Sequence, residues 1–148
     1  MISLNSVDAI KPKFVKSRQL KAFLNSLIST EGFATGDIAI VFCSDEYLLK
    51  VNQDFLDHDY YTDIITFDYC ENGKISGDLL ISLDRVLDNS SKEKTAFSEE
   101  LYRVIFHGVL HLCGFKDKSK KDIEMMRFKE AHYLNLYVPR ETMGDSIK

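Results

Sequence analysis

The sequence has no tryptophan, only two prolines and three cysteines, and no apolar run longer than the six residues Ile38 to Cys43. A membrane-spanning helix needs about 20 apolar residues, so none is expected. Cys43, Cys70 and Cys113 are odd in number, widely spaced and without a CxxC pair. That excludes a disulfide framework or a thiolate zinc site, and buried reduced thiols are expected instead. An excess of basic charge is also missing: 19 basic against 23 acidic residues give a net charge of −4. A generally basic nucleic-acid binder is thereby excluded, while a local basic patch is not. The opening Met1-Ile2-Ser3-Leu4-Asn5 lacks the basic and continuously apolar regions of a secretory leader, which makes the cytoplasm the expected compartment.

What is present describes one domain over residues 1–148. At this length a single core buries roughly 68–70% of the unfolded chain's surface, so no metal is needed for stability and any metal is expected to be functional. The charge is unevenly spread. Residues 1–30 carry Lys11, Lys13, Lys16, Arg18 and Lys21 against Asp8 alone, whereas residues 31–63 carry eight acids against Lys50.

Ile2 and Leu4 alternate as in a short strand. A helix opened by Pro12 is expected to follow, with Val15, Leu20, Phe23, Leu24, Leu27 and Ile28 along one stripe and the basic residues mostly off it, on a solvated or RNA-facing side. Residues 38–43 read as a strand after Gly36-Asp37, with Ser44 capping a helix that carries Tyr47, Leu48 and Val51. Residues 62–70 and 77–83, joined through Glu71-Asn72-Gly73-Lys74, read as an antiparallel hairpin. Residues 84–94 read as an exposed helix. A further helix starts at Ser98, with Glu99 and Glu100 in its first turn, and ends at Gly114. The last helix starts at Ser119 with Asp122 in a capping-box position, and Pro139 opens a polar tail. The fold class expected is α+β: one layered domain with a mixed sheet of about four strands packed against helices.

The segment that carries chemistry is His107-Gly108-Val109-Leu110-His111-Leu112-Cys113-Gly114-Phe115-Lys116-Asp117. Histidines four apart on a helix share a face and can aim at one ion. Gly114 lets the chain leave the helix through a left-handed residue, so that Asp117 can turn back toward the same point. Two imidazoles and a carboxylate leave a position open, as in a catalytic zinc site, and hydrolysis is the chemistry implied. One Zn2+ per chain is expected, although the donors also suit Ni, Mn or Fe. Two hydrogen-bonded core histidines would explain an isolated HxxxH equally well, and Asp117 also reads as an exposed loop acid. Gly108 stands where the zinc-peptidase pattern HExxH needs a glutamate base, which opposes a peptidase. Lys116, Lys118, Lys120 and Lys121 form a cationic rim able to hold phosphate, or simply a solvated loop.

The segment resembles the HGxLHLxGYDH signature of the YbeY family of bacterial rRNA maturation factors. His107 to Gly114 fit its first eight positions and Phe115 replaces the similar Tyr. Lys116 stands at the usual Asp and Asp117 at the usual third His. Asn52-Gln53-Asp54-Phe55, Thr62 to Phe67 and Gly77 to Ile81 are similar to further blocks, so the core motifs run from about residue 38 to 117, ahead of the polar tail from about 139. Leu56 replaces the family's Arg, and His58 falls where it often has Lys.

The resemblance implies a metal-dependent endoribonuclease specific for single-stranded RNA, acting in 16S rRNA 3′-end maturation and ribosome quality control. It implies rRNA and the ribosome or its proteins as partners, with no DNA and no membrane. His107, His111 and Asp117 are the expected metal ligands, and Lys116 and His58 the expected catalytic groups, His58 being also readable as a hydrogen-bonded loop residue. His132 is expected to be structural. The alternatives are a peptidase-like metal hydrolase and a non-catalytic ribosome-associated factor.

Overall fold

The computed structural model describes residues 1–58 and 60–146, with side chains as far as Tyr137. Its elements are β1 (Ile2–Ser6), α1 (Ser17–Thr30), β2 (Ala34–Cys43), α2 (Asp45–Leu56), β3 (Ile64–Asp68), β4 (Lys74–Ser82), α3 (Leu83–Glu93), α4 (Phe97–Leu112) and α5 (Lys120–Ser146). The strands form one mixed sheet in the order β1-β2-β4-β3, in which β1, β2 and β4 are parallel and β3 is antiparallel to β4.

Alternation along the strands divides the apolar residues between two faces. Ile38, Ile40, Phe42, Leu79 and Ile81 meet Leu20, Leu24, Leu27 and Ile28 of α1 and Val104, Ile105, Val109 and Leu110 of α4 in the larger core. Cys43, Ile65 and Leu80 face the other way and pack with Leu48 and Val51 of α2. The sheet is therefore covered on both sides, with α4 and its histidines on the larger-core side.

Local signals explain most boundaries. Asn72 and Gly73 both have positive φ, at 50° and 77°, and Glu71 and Lys74 exchange two backbone hydrogen bonds across them. This is the two-residue hairpin turn that Asn-Gly favours. The Ser44 hydroxyl accepts from the Tyr47 backbone N–H at 3.1 Å and caps α2, and Ser82 caps α3 in the same way through Arg85 N–H. Ser119 and Asp122 make the reciprocal pair of hydrogen bonds that opens α5.

Several expectations are corrected. The first helix begins at Ser17, not at Pro12, whose carbonyl instead accepts from Val15 N–H in a turn that leads Val15 into the core. β2 reaches back to Ala34 because Gly36-Asp37 lies at an irregularity in register between Thr35 and Ile38, inside the strand rather than before it. β4 likewise begins at Lys74, immediately after the turn. α5 runs on to Ser146, so Pro139 does not open a tail there; the proline forfeits its own N–H bond without ending the helix. Residues 147 and 148 lie outside the described part. Cys43 and Cys113 are buried free thiols as expected, but Cys70 is only half-buried, at the end of the hairpin. Among the described residues no helix is long and apolar enough to cross a membrane.

Candidate metal and substrate cleft

α4 carries His107 and His111 one turn apart, and both line a cleft of about 470 Å³ that opens between α4, the loop after α2 and the edge strand β3. Asp117 lines the same cleft. Gly114, with φ 104°, turns the chain out of the helix, and its N–H bonds the His111 carbonyl at 3.0 Å. The Asp117 carboxylate then comes back to 3.5 Å from His107 Nε2. Two donors about 2.0–2.1 Å from a tetrahedral ion stand about 3.3 Å apart, so this spacing fits a shared metal. Among the described residues, however, no three His, Cys, Asp or Glu side chains are gathered into a group that could hold an ion as they stand. The structure brings His107 and Asp117 together and puts His111 on the same wall.

Behind His107 lies a buried charge network. Its Nδ1–H donates to Glu130 Oε2 of α5 at 2.6 Å. Glu130 is 3% exposed, and its other oxygen accepts from Arg103 Nη1 at 3.0 Å. Arg103 donates in turn from Nε and Nη2 to Glu100, at 2.9 and 2.6 Å. Burial pushes the Glu130 pKa up, but the His107 hydrogen bond and the Arg103 charge outweigh it and hold the carboxyl below its usual range. Glu130 is thus an ionised acceptor, which assigns the proton to Nδ1 and leaves Nε2 to face the cleft. A carboxylate behind a histidine is the support expected of a metal ligand.

Gly108 explains why α4 can approach so closely. A Cβ there would stand 2.7 Å from Ile64 Cδ1 and 3.0 Å from Leu79 Cδ2, both on the sheet. A glutamate base of the HExxH kind would have to push these two side chains aside.

The remaining expected residues divide. His58 lines the cleft mouth, hydrogen-bonded through Nδ1 with the Tyr60 hydroxyl at 3.0 Å and stacked on its ring with centroids 5.1 Å apart. Lys116 is exposed and absent from the cleft lining: Phe115 turns inward under Lys129, so its neighbour points into solvent. His132 is exposed on α5 against the edge of Tyr133, away from the cleft.

The comparisons with known proteins fit this picture. A sequence model described as endoribonuclease YbeY matches residues 5–138. The chain belongs to the YbeY family. The endoribonuclease YbeY of Porphyromonas gingivalis is 51% identical over 133 residues, covering 90% of this chain and 87% of that protein. That of Cytophaga hutchinsonii is 52% identical over 119 residues, covering 80% and 83%, and that of Phocaeicola vulgatus 45% over 136 residues, covering 92% and 98%. The solution structure of TM1509 from Thermotoga maritima shares the fold, with a TM-score of 0.70 over 100% of this chain and 96% of that one at 24% identity.

Within this YbeY-family cleft, the roles of four contributors went unassigned in the sequence. Glu130 and Arg103 hold His107 but lie on the last helix and on the turn before the histidine, without a motif of their own. Asp63 lines the cleft and sits inside the Thr62 to Phe67 block, which served as strand content and as family resemblance without a role for the carboxylate. Burial pushes its pKa up, against the pull of Arg103 and His107. Asn52, 2% exposed, donates from Nδ2 to the Tyr60 carbonyl at 2.8 Å and so fixes the loop that presents His58 and Tyr60.

Two outcomes are expected. Glu130→Gln loses about 2 kcal/mol of stability at neutral pH, the scale of a hydrogen bond to a charged group. Because the folded pKa of Glu130 is depressed, its contribution is complete above the unfolded value of ~4.3 and disappears as pH falls through the folded value. Denaturant curves of wild type and variant should therefore converge on acidification from pH 6 to 3; parallel curves contradict the assignment. Gly108→Glu should destabilise by more than about 3 kcal/mol in a melting experiment, since a charge would enter the packed layer between α4 and the sheet. A wild-type melting curve would show that the layer has room for it.

Proposed function

We propose that this chain is a metal-dependent endoribonuclease that cleaves single-stranded RNA, with His107, His111 and Asp117 holding one zinc-like ion. The observation that carries the reading is His107 Nε2 facing Asp117 at 3.5 Å over an open cleft while Glu130 fixes the other ring nitrogen. The donor set of two imidazoles and a carboxylate, without thiolates, suits a catalytic site with an open position. Family membership supports the same activity, since the relatives bear the name endoribonuclease. We assign the cellular role to 16S rRNA 3′-end maturation and ribosome quality control in the cytoplasm, with rRNA and ribosomal proteins as partners.

Bound there, such an ion would supply Lewis acidity at the reacting phosphate. The chain's own residues do the rest. Glu130 and Arg103 keep the His107 ring in one orientation and tautomer. Asp63, a carboxyl made more basic by burial in the cleft wall, is placed to accept a proton from the attacking oxygen. His58 at the mouth supplies a hydrogen bond to the strand or protonates the leaving oxygen. Lys116, Lys118, Lys120 and Lys121, all exposed, attract the phosphate backbone toward the rim. The exposed Lys13, Lys16 and Arg18 near the start of α1 give a second basic patch for docking on rRNA.

The test is metal analysis of wild type and Asp117→Ala combined with cleavage of a single-stranded RNA before and after chelation. About one metal per chain is expected in wild type, with cleavage abolished by the chelator and both properties lost in the variant. Metal without cleavage of RNA, peptides or esters would instead favour a non-catalytic ribosome-associated factor.

A further inference from the structure

We propose that a second, smaller cleft on the far side of His107 and Asp117 is a subsite for the RNA phosphate next along the strand from the one being cleaved, with Arg127 as its contact. The proposal rests on the ribonuclease reading. This cleft, of about 230 Å³, is walled by Arg127, Ile123 and Met126 of α5, with Arg103 and Glu130 at its back. It shares His107 and Asp117 with the larger cleft and no other lining residue. The two therefore meet only at the proposed reaction centre, and a strand crossing that centre enters the larger cleft on one side and the smaller one on the other.

The charges of the smaller cleft sort themselves by partner. Arg103 is consumed by Glu100 and Glu130, and Glu130 by Arg103 and His107. Arg127 is exposed and makes no hydrogen bond or ion pair among the described residues. It is the positive charge left over on the wall, at a position where a polyanion crossing the centre brings its next phosphate. A guanidinium matches phosphate in geometry as well as charge. Beside it the exposed Ile123, packed over the buried Met126, offers an apolar surface suited to the face of a ribose or base.

The experiment compares metal-loaded wild type, Arg127→Gln and Arg127→Lys on single-stranded RNA over a range of salt, with substrates shortened one nucleotide at a time from either end. Arg127→Gln should lower kcat/KM about three- to tenfold at low salt while retaining wild-type metal content. It should make the slope of log(kcat/KM) against log[salt] shallower by about 0.7, the share of one phosphate contact on a single strand. Arg127→Lys should restore the slope. On the shortened substrate that leaves the subsite empty, wild type should fall to the level of Arg127→Gln. If wild type cleaves and Arg127→Gln matches it in rate and slope, or if the variant loses metal, the subsite is refuted and the ribonuclease reading survives. If metal-loaded wild type cleaves no RNA, that reading fails and takes the subsite with it.

Discussion

The hydrogen bond from His107 Nδ1 to Glu130, 2.6 Å long and made to a buried carboxylate, is the contact on which the candidate site depends. It joins α4 to α5 beside Glu100 and Glu130, the two carboxylates that are buried among the described residues. Glu100 and Glu130 bring two negative charges and Arg103 one positive charge, so the cluster retains one negative charge, directed at the imidazole. A buried charge of this kind is costly unless something positive lies in front of it. A histidine whose free nitrogen faces a carboxylate across an open cleft is where a cation would complete the balance. The same network gives α5 a purpose beyond covering the core, because it sets the direction of the His107 ring on its neighbour.

The fold delivers α4 to that point by close packing. Gly108 lets the helix settle on Ile64 and Leu79, which seats His107 and His111 beside the edge strand β3 and next to Asp63. On the other side of the cleft, Asn52 of α2 ties down the loop of His58 and Tyr60. Each wall is held by a different layer of the domain: α4 over the larger core, α2 over the smaller one, and the sheet between. The cleft is consequently a product of the whole layered arrangement and not of the histidine motif alone.

Much of this was legible in the sequence wherever the cause was local. The Asn72-Gly73 turn, the caps at Ser44 and Ser119, the helix exit at Gly114 and the four-residue spacing of His107 and His111 each depend on residues within a few positions of one another. Pro12 misled because a proline suits a turn as well as a first helical position, and only the tertiary seat of Val15 decides between them. Gly36-Asp37 misled in the same manner, since a break in strand register has the composition of a strand boundary. Glu130 was illegible because it meets a histidine 23 positions away, on a helix whose other charges are solvated. Asp63 carried no signal of its own either, because its environment is made by β3, α3 and α4 together. Lys116 illustrates the converse: a neighbour in sequence of Asp117, it is exposed and outside the cleft lining because Phe115 before it turns inward.

The central claim is that His107, oriented by Glu130, shares an ion with His111 and Asp117. The most direct measurement is a crystal structure of the metal-loaded protein with the ion located by anomalous scattering. The account predicts one ion bound by His107 through Nε2, by His111 and by Asp117, with Nδ1 of His107 still on Glu130. An ion elsewhere, or one bound through Nδ1 with Glu130 displaced, would contradict it.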